Sequence, residues 1–299
     1  MYDSPLLPVY HLLYDRYTVI LYHLLCIKWR FRGHKRPARR EAEPVINNVT
    51  FIYKSFERQR MAKRLYKNIR RYYPGVRVII ADDSRKPLKL RGNGLTIVQL
   101  PFNRGLSYGL NSALERVETP FTVRLDDDVL LTPFTGIHQQ LSFLNKHPEI
   151  HLAAFQACSY PCNSAREHAQ EYVSSGMKNA AKPLIIPHMT KIDDTHYVMG
   201  KTPNLFLIRT EEYKALGYDD NIRMIDHHEF FLRAAGNIVS AMDTDAFVFH
   251  YHNRFDKAYR KYRMDYQSDI KYIRGKHQMK PKATSTKESA PDKTGLSAK

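Results

Sequence analysis

Between residues 45 and 125, short apolar runs rich in β-branched residues alternate with segments of helical periodicity, and this alternation restricts the possible folds. The patterns predict strands at 45–53, 76–81, 95–100 and 121–125, and helices at 58–73 and 105–115. Strands that alternate with helices are typical of a mostly parallel sheet flanked by helices. The sequence therefore predicts an α/β fold, with a site along the edge formed by the carboxyl ends of the strands.

Acidic residues follow two of the predicted strands. Asp82 and Asp83 end the second strand, and Asp126, Asp127 and Asp128 follow the fourth. Carboxylates at the point where a strand meets a loop can hold a hard divalent cation, which can in turn hold a diphosphate. Three adjacent acids stand out in a chain of net charge +17, and the alternative for an isolated triplet is a solvated acidic turn.

The excess of basic residues limits the classes of partner. A length of 299 residues suffices for one substantial core. A net charge of +17 indicates acidic partners, such as nucleic acid, anionic lipid or a phosphorylated substrate. No zinc-finger or RNP-like aromatic motif accompanies the charge, which makes nucleic acid the least favoured of these partners.

The three cysteines, Cys26, Cys158 and Cys162, form no evident framework. No second cysteine pair and no nearby histidine pair completes a zinc site around the last two. We predict reduced thiols rather than a disulfide, and a sparse, odd count favours a reducing compartment.

The N-terminal segment has a character of its own. Leu and Tyr recur at spacings of three and four residues between positions 6 and 24, which predicts an amphipathic helix. Its uncharged run, 17–27, is about half of the 20 or so apolar residues that span a bilayer. With the basic run at 28–40 it fits a peripheral anchor on an anionic membrane face. The alternative is a helix that packs on the rest of the chain or on a second subunit, as in a homo-oligomer.

Two ordered sets of motifs resemble a known family. The first set comprises Lys54–Arg58, Val78–Ser84, Leu100–Leu106 and Leu125–Asp128. The second set comprises Thr202–Thr210, Leu216–Asp219 and His227–Phe231. In this order they resemble the catalytic domain of the β-1,4-N-acetylgalactosaminyltransferases of ganglioside and related glycan synthesis, which are inverting GT-A glycosyltransferases. The resemblance covers about residues 45–252.

The resemblance implies a GT-A, Rossmann-like fold and a metal-dependent inverting glycosyltransferase. Such an enzyme transfers a hexosyl or N-acetylhexosaminyl group from a nucleotide-sugar donor, most commonly UDP-linked, to a glycan or lipid-linked acceptor. On this basis we divide the chain into an N-terminal amphipathic helix with a basic linker (1–44), a GT-A domain (45–275) and a disordered basic tail (276–299).

The chain also departs from that family, whose members carry a transmembrane anchor and luminal cysteines. We see neither in this sequence, and we therefore expect a cytoplasmic protein that is peripheral on the inner face of the membrane. The donor sugar, the acceptor and the linkage stay open.

Several residues have the chemistry to bind a nucleotide sugar. Asp82 and Asp83 could accept hydrogen bonds from the base or the ribose, with a turn-capping Asp-Asp-Ser as the alternative. Lys54 and Arg104 are suited to phosphate, because basic side chains near helix N-termini bind it well. Arg58 follows the same strand as Lys54 and has the same chemistry, but a position on a solvated face is a stronger alternative for Arg58 than for Arg104.

The acidic triplet is the expected metal end of the site. By resemblance it binds Mn²⁺ or Mg²⁺ that bridges the donor phosphates, with Asp128 as the direct ligand. Asp126 would face the ribose or a metal-bound water, and Asp127 would contribute to the nucleotide site. His250, with His252 as second choice, is the candidate third ligand, since oxygen ligands with one imidazole suit Mn²⁺; the alternative is a structural histidine.

Inversion requires a base that takes the proton of the acceptor hydroxyl. By resemblance the first candidate is Glu229, and Asp226 could substitute for it. The alternative is a capping box in which Asp226 caps the helix and Glu229 follows three residues later.

Two other functions are consistent with parts of the pattern. One is a catalytically silent GT-A-like protein that binds the membrane through its basic termini. The other is nucleotidyl transfer, which is disfavoured because no Gly-rich phosphate loop precedes Asp82.

Overall fold

The computed structural model describes residues 7–30, 39–158, 182–251, 259, 261–262 and 266–278. Three predictions concern residues outside these ranges: the metal role of His252, the thiol of Cys162 and nearly all of the basic tail. The predicted domain boundaries stay predictions.

The described residues form eight helices and nine strands. The helices are α1 Leu7–Arg30, α2 Arg39–Asn48, α3 Gln59–Tyr72, α4 Leu106–Leu114, α5 Ile137–Lys146, α6 Thr210–Leu216, α7 Asp226–Ala234 and α8 Gln267–Lys276. The strands are β1 Val49–Ser55, β2 Arg77–Asp82, β3 Leu95–Gln99, β4 Phe121–Arg124, β5 Val129–Leu131, β6 Leu152–Cys158, β7 His196–Val198, β8 Phe206–Arg209 and β9 Ser240–His250.

The strands belong to one sheet of order β3-β2-β1-β4-β8-β6-β9-β5, with β7 paired to β9. The half formed by β3, β2, β1 and β4 is entirely parallel. Strand β8 joins this half to β6 through antiparallel pairs on both sides. The predicted α/β fold is confirmed, and the carboxyl ends of β1, β2 and β4 meet at one edge, as expected for parallel strands.

Two apolar layers cover this sheet. Alternate residues of a strand point to opposite faces, and Phe51 and Tyr53 accordingly enter one buried cluster while Ile52 enters the other. Helix α3 contributes Leu65 and its neighbours to the first cluster, and α4 contributes Leu110 to the second. Because both faces are apolar, polar chemistry is confined to the strand ends.

One element boundary was predicted wrongly. Residues 45–48 are helical as the end of α2, and the strand begins only at Val49. Ala42, Val45 and Val49 are buried at spacings of three and four residues, and α2 packs against α5. This tertiary contact outweighs the strand preference of a β-branched start.

The prediction of reduced thiols is wrong for Cys158, which is disulfide-bonded at the end of β6. A chain-wide cysteine count reports compartment only on average and cannot exclude a single local bridge. The count therefore no longer supports the predicted reducing compartment.

Helix α1 packs on the domain through one face. Thr18, Tyr22 and Leu25 are buried at spacings of four and three residues. The Tyr22 hydroxyl donates to the Leu131 carbonyl oxygen and bonds the Tyr72 hydroxyl, each at 2.9 Å. None of the helices in the described ranges combines the length and apolarity that a membrane span needs.

The packing of α1 can be tested with a conservative pair of variants. We expect Tyr22→Phe to lower the free energy of unfolding by about 1–2 kcal/mol, because two buried hydrogen bonds are lost. Tyr17→Phe is the matched control, since Tyr17 on the same helix is 54% exposed. Urea denaturation of both variants measures the difference, and equal stabilities would contradict the docking of α1.

Candidate active site

A cavity of about 540 Å³ opens at the carboxyl edge of the parallel half of the sheet. Its size lies within the range of small-molecule sites. Its lining includes Lys54, Arg58, Asp126, Asp127, Asp128 and His250. The structure thus brings together six of the side chains that the sequence analysis discussed.

Lys54 is fixed by an ion pair with Asp83. Its Nζ lies 2.5 Å from Asp83 Oδ1, while the Gly105 amide donates to Asp83 Oδ2 at 3.1 Å. Burial raises the pKa of Asp83 and lowers the pKa of Lys54, and the ion pair opposes both shifts. Gly109 leaves room for Lys54, because a Cβ there would lie 2.7 Å from Lys54 Cδ. Asp83 therefore positions Lys54 in the cavity instead of lining it.

Asp82 has the geometry of the turn-capping alternative. Its Oδ1 accepts from the Ser84 hydroxyl at 2.6 Å, and its Oδ2 accepts from the Leu88 amide at 2.6 Å. Asp82 is fully buried and is not among the described residues that line the cavity. Its predicted contact with the nucleotide stays a prediction.

For Arg58 and Arg104, the structure shows the opposite of the expected order. Arg104 stacks on Tyr108, 4.2 Å from the ring centroid, and is not among the described lining residues. Arg58, for which a solvated face was the stronger alternative, lines the cavity with a side chain that is only 9% exposed. The solvated interpretation was wrong because Asp127 and Asp128, about 70 residues away in sequence, form ion pairs with Arg58.

Each acid of the triplet contacts an arginine. Arg58 Nη1 lies 3.1 Å from Asp128 Oδ2, and Arg58 Nη2 donates to Asp127 Oδ1. Arg124 Nη1 lies 2.8 Å from Asp126 Oδ1. Burial raises the pKa of Asp127, and Arg58 only partly opposes this shift.

The donor set at the triplet fits a hard divalent cation. His250 Nε2 lies 3.8 Å from Asp128 Oδ1. Asp127 Oδ2 is buried without a hydrogen-bond partner among the described residues. Carboxylate oxygens with one imidazole are ligands that Mn²⁺ accepts. Within the described ranges, however, no three acidic, histidine or cysteine side chains already form a metal-ligand group.

Asp226 is the first residue of α7 and is 2% exposed. The helix cap is Ile225, which makes no side-chain capping bond, so the capping-box alternative is wrong. Arg124 Nη2 lies 3.7 Å from Asp226 Oδ2, and the same guanidinium binds Asp126. Through Arg124, Asp226 is therefore coupled to the acidic triplet.

Glu229 lies in an ionic cluster that joins α7 to α8. Arg233 Nε donates to both of its oxygens at 2.8 and 2.9 Å, and Lys276 Nζ donates at 2.7 Å. His277 Nε2 lies 3.4 Å away. Burial raises the pKa of Glu229, but the bonds from Arg233 and Lys276 outweigh burial and keep that pKa below its usual range. Neither Glu229 nor Asp226 is among the described lining residues.

Sequence reasoning missed several lining residues. Arg223, on the loop before α7, donates to the Asn103 carbonyl oxygen at 2.6 Å and lines the cavity. Tyr259 and Tyr262 line it as well, and Tyr262 meets Phe56 edge to face at 5.2 Å between centroids. Their only sequence signal was an aromatic, basic stretch after residue 250, which no motif distinguished.

The role of Glu229 can be tested through stability. We expect Glu229→Gln to lower the free energy of unfolding by about 2 kcal/mol, less than for a fully buried pair because Arg233 and Lys276 are partly exposed. A lowered native pKa means that the stabilisation is present above the unfolded pKa of Glu and is lost as pH falls through the native pKa. The difference between wild type and variant should therefore shrink in acid.

Urea denaturation across pH measures this difference, and Glu211→Gln, an exposed acid on α6, serves as the control with an expected change within about 0.5 kcal/mol. A Glu229→Gln protein of wild-type stability would contradict the structural role.

Curated relatives match most of the chain. The mouse β-1,4 N-acetylgalactosaminyltransferase 2 is 26% identical over 240 residues, which are 76% of this chain and 46% of the relative. The human β-1,4 N-acetylgalactosaminyltransferase 1 is 29% identical over 205 residues, 68% of this chain and 38% of the relative. The chain thus spans less than half the length of these relatives.

Solved structures confirm the GT-A fold. Residues 1–349 of S. aureus TarS, in complex with UDP-GlcNAc, match with a TM-score of 0.51 and 15% identity over 71% of this chain and 61% of that chain. The mannosyltransferase PcManGT from Pyrobaculum calidifontis, in complex with GDP-Man and Mn²⁺, matches with a TM-score of 0.51 and 18% identity, over 76% of this chain and 64% of that one. The model of glycosyl transferase family 2 matches residues 50–217, more than half of the sequence, and the chain therefore belongs to that family.

Proposed function

We propose that the protein is a metal-dependent, inverting glycosyltransferase that moves an N-acetylhexosamine from a UDP-linked donor to a glycan or lipid-linked acceptor. The observation that carries this proposal is a cavity of about 540 Å³ in which acidic and basic side chains meet at the sheet edge. Family membership and the N-acetylgalactosaminyltransferase names of the relatives support it.

The charges in the cavity suit a diphosphate bound together with a cation. Lys54, Arg58 and Arg223 supply positive charge, and Asp127 and Asp128 supply negative charge within the same space. Guanidinium groups bind phosphate oxygens bidentately, and an ammonium binds them as a point charge. The complexes of TarS with UDP-GlcNAc and of PcManGT with GDP-Man and Mn²⁺ support a nucleotide-sugar donor with a divalent metal.

Asp128 and His250 would hold the cation, with Asp126 or Asp127 nearby. When bound, Mn²⁺ or Mg²⁺ would neutralise the negative charge that develops on the departing nucleoside diphosphate. Lys54 is suited to the same task, because its ion pair with Asp83 holds it in place without filling its hydrogen-bonding capacity.

For the base, we favour Asp226 over Glu229. The negative charge of Glu229 is held by Arg233 and Lys276, which makes it a poor proton acceptor. Asp226 lies next to the acidic triplet, because Arg124 contacts both Asp226 and Asp126. In this role Asp226 would take the proton of the acceptor hydroxyl as the sugar is transferred.

The exposed face of α1 supports peripheral binding to an anionic bilayer. Leu13, Tyr17, Ile20, Leu24 and Ile27 recur at spacings of four and three residues and are 43% to 60% exposed. Seven basic and no acidic residues follow at positions 28–40. An apolar stripe next to a basic segment complements the acyl boundary and the headgroups of such a membrane. A membrane location would place the cavity near a lipid-linked acceptor.

The catalytic proposal predicts metal-dependent release of UDP. We expect purified protein with Mn²⁺ to release UDP from UDP-N-acetylhexosamines, and Asp128→Asn to reduce the rate at least 100-fold, about the effect of losing one electrostatic stabiliser. Asp194→Asn, which changes a fully exposed acid outside the cavity, should leave the rate unchanged. A panel of UDP-, GDP- and CDP-sugars in the same assay identifies the donor.

If the assay shows no UDP release, calorimetric measurement of UDP binding to the same sample distinguishes the two explanations. UDP binding without release would mean that turnover requires the acceptor. Failure to bind UDP or any other nucleoside diphosphate would contradict the proposed function.

The membrane proposal predicts binding to phosphatidylglycerol vesicles that weakens with salt. We expect Ile20→Asp combined with Leu24→Asp to lower the vesicle-bound fraction at least tenfold in a sedimentation assay, with the thermal midpoint unchanged. The matched control adds the same two charges to the exposed face of α5 through Ser142→Asp and Asn145→Asp.

Equal binding to phosphatidylcholine vesicles would contradict the electrostatic part of this proposal. A dimer that the α1 variant dissociates, in protein that binds no vesicles, would instead show that the stripe is an interface between two copies.

A further inference from the structure

The acids expected to hold a divalent cation already carry one cation, the guanidinium of Arg58. It contacts Asp128 Oδ2 at 3.1 Å through Nη1, and Asp127 Oδ1 through Nη2. The two contacts span adjacent residues of the triplet, so one planar group bridges both carboxylates.

Arg58 is enclosed as well as paired. Its side chain is 9% exposed, and its guanidinium lies 3.8 Å from the ring centroid of Tyr259. Lys54, the neighbouring cation, is bound instead to Asp83, which is not an expected metal ligand. Of these two cations in the cavity, only Arg58 therefore occupies carboxylates that the metal would need.

A divalent cation and Arg58 compete for the negative charge of Asp128. The guanidinium contacts Asp128 Oδ2 at 3.1 Å, and a divalent cation held by Oδ1, the oxygen that faces His250, would lie beside that guanidinium and be strongly repelled in a buried site. Binding of the metal is therefore favoured when Arg58 leaves Asp128. A diphosphate that arrives with the metal would offer the displaced guanidinium a new bidentate anion.

We propose that Arg58 is an internal counter-ion that neutralises Asp127 and Asp128 in the ligand-free protein and passes to the donor diphosphate when the divalent cation takes Asp128. The proposal rests on the proposed function for its ligand. It makes Arg58 a positioning residue that prevents the metal from binding tightly before the nucleotide does. Metal, diphosphate and guanidinium would then come together in one step, and only these non-covalent contacts would change.

The decisive measurement is the Mn²⁺ affinity of nucleotide-free protein, determined by calorimetry and by electron paramagnetic resonance of free Mn²⁺. We expect Arg58→Met to bind Mn²⁺ at least tenfold more tightly than wild type, because a competing charge has been removed. The variant should also bind UDP at least tenfold more weakly in the presence of saturating Mn²⁺, because the diphosphate loses its guanidinium. Adding Asp128→Asn to Arg58→Met should abolish the gain in Mn²⁺ affinity.

Two further variants test whether the change in Mn²⁺ affinity arises from the contacts of Arg58 with the triplet. Arg58→Lys keeps the charge but not the fork and should show an intermediate Mn²⁺ affinity, so it serves if Arg58→Met fails to fold. Arg85→Met is the matched control: Arg85 stacks on Phe102, 4.6 Å from the ring centroid, and Phe102 in turn contacts the cavity residue Tyr262, but the triplet's ion pairs are made by other arginines. Its Mn²⁺ affinity should equal that of wild type.

Mn²⁺ affinity that is unchanged or weaker in both Arg58 variants would overturn the proposal, even in an enzyme that turns over UDP-sugars. Tighter Mn²⁺ binding in a protein that binds neither UDP nor any other nucleoside diphosphate would leave the neutralisation of Asp127 and Asp128 by Arg58 standing and would remove the proposed function. The two failures are therefore distinguishable.

Discussion

The buried guanidinium of Arg124 holds the site together. It lies at the end of β4, has no exposed surface and reaches three separate segments of the chain. It lies 2.8 Å from Asp126 Oδ1 and 3.7 Å from Asp226 Oδ2, and it donates to the Asn204 carbonyl oxygen. A charge buried this completely is tolerated only with such partners. Its position therefore dictates where the acidic triplet, the approach to β8 and the start of α7 lie relative to one another.

The pairing of buried charges with groups of opposite charge extends along the carboxyl edge of the sheet. The end of β1 carries Lys54, which is matched by Asp83 after β2, and Arg58 is matched by Asp127 and Asp128 after β4. Parallel strands bring these segments together because their carboxyl ends share one edge. In the ligand-free protein Asp83, Asp127 and Asp128 thus carry basic partners that lie in or just after the neighbouring strand β1. A ligand that combines a cation with a diphosphate matches both signs of charge, which a simple anion or cation would not.

How far the sequence could predict this arrangement depended on the distance between partners. Local periodicity located α3, α4 and the four parallel strands to within a few residues, and strand-end chemistry located the triplet. It could not tell that Arg58 rather than Arg104 lines the cavity, because the choice depends on acids about 70 residues away. The ion pair between Glu229 and Lys276, 47 residues later, could not be predicted for the same reason. The helical conformation of residues 45–48, where a strand was predicted, likewise depends on packing of α2 against α5.

The C-terminal helix shows why a match to the family segment alone leaves the site incomplete. Asp269 on α8 is buried, and its carboxylate accepts hydrogen bonds from the amides of Met224 at 2.8 Å and of Arg223 and Ile225 at 3.2 Å. These amides belong to the loop that carries Arg223 into the cavity and leads to Asp226. The Glu229 cluster attaches the same helix to α7 a second time. Helix α8 lies beyond residue 217, where the family match ends, yet it fixes the backbone on both sides of the candidate base. The family fold provides the sheet edge, and α8 determines how the loop before α7 faces it.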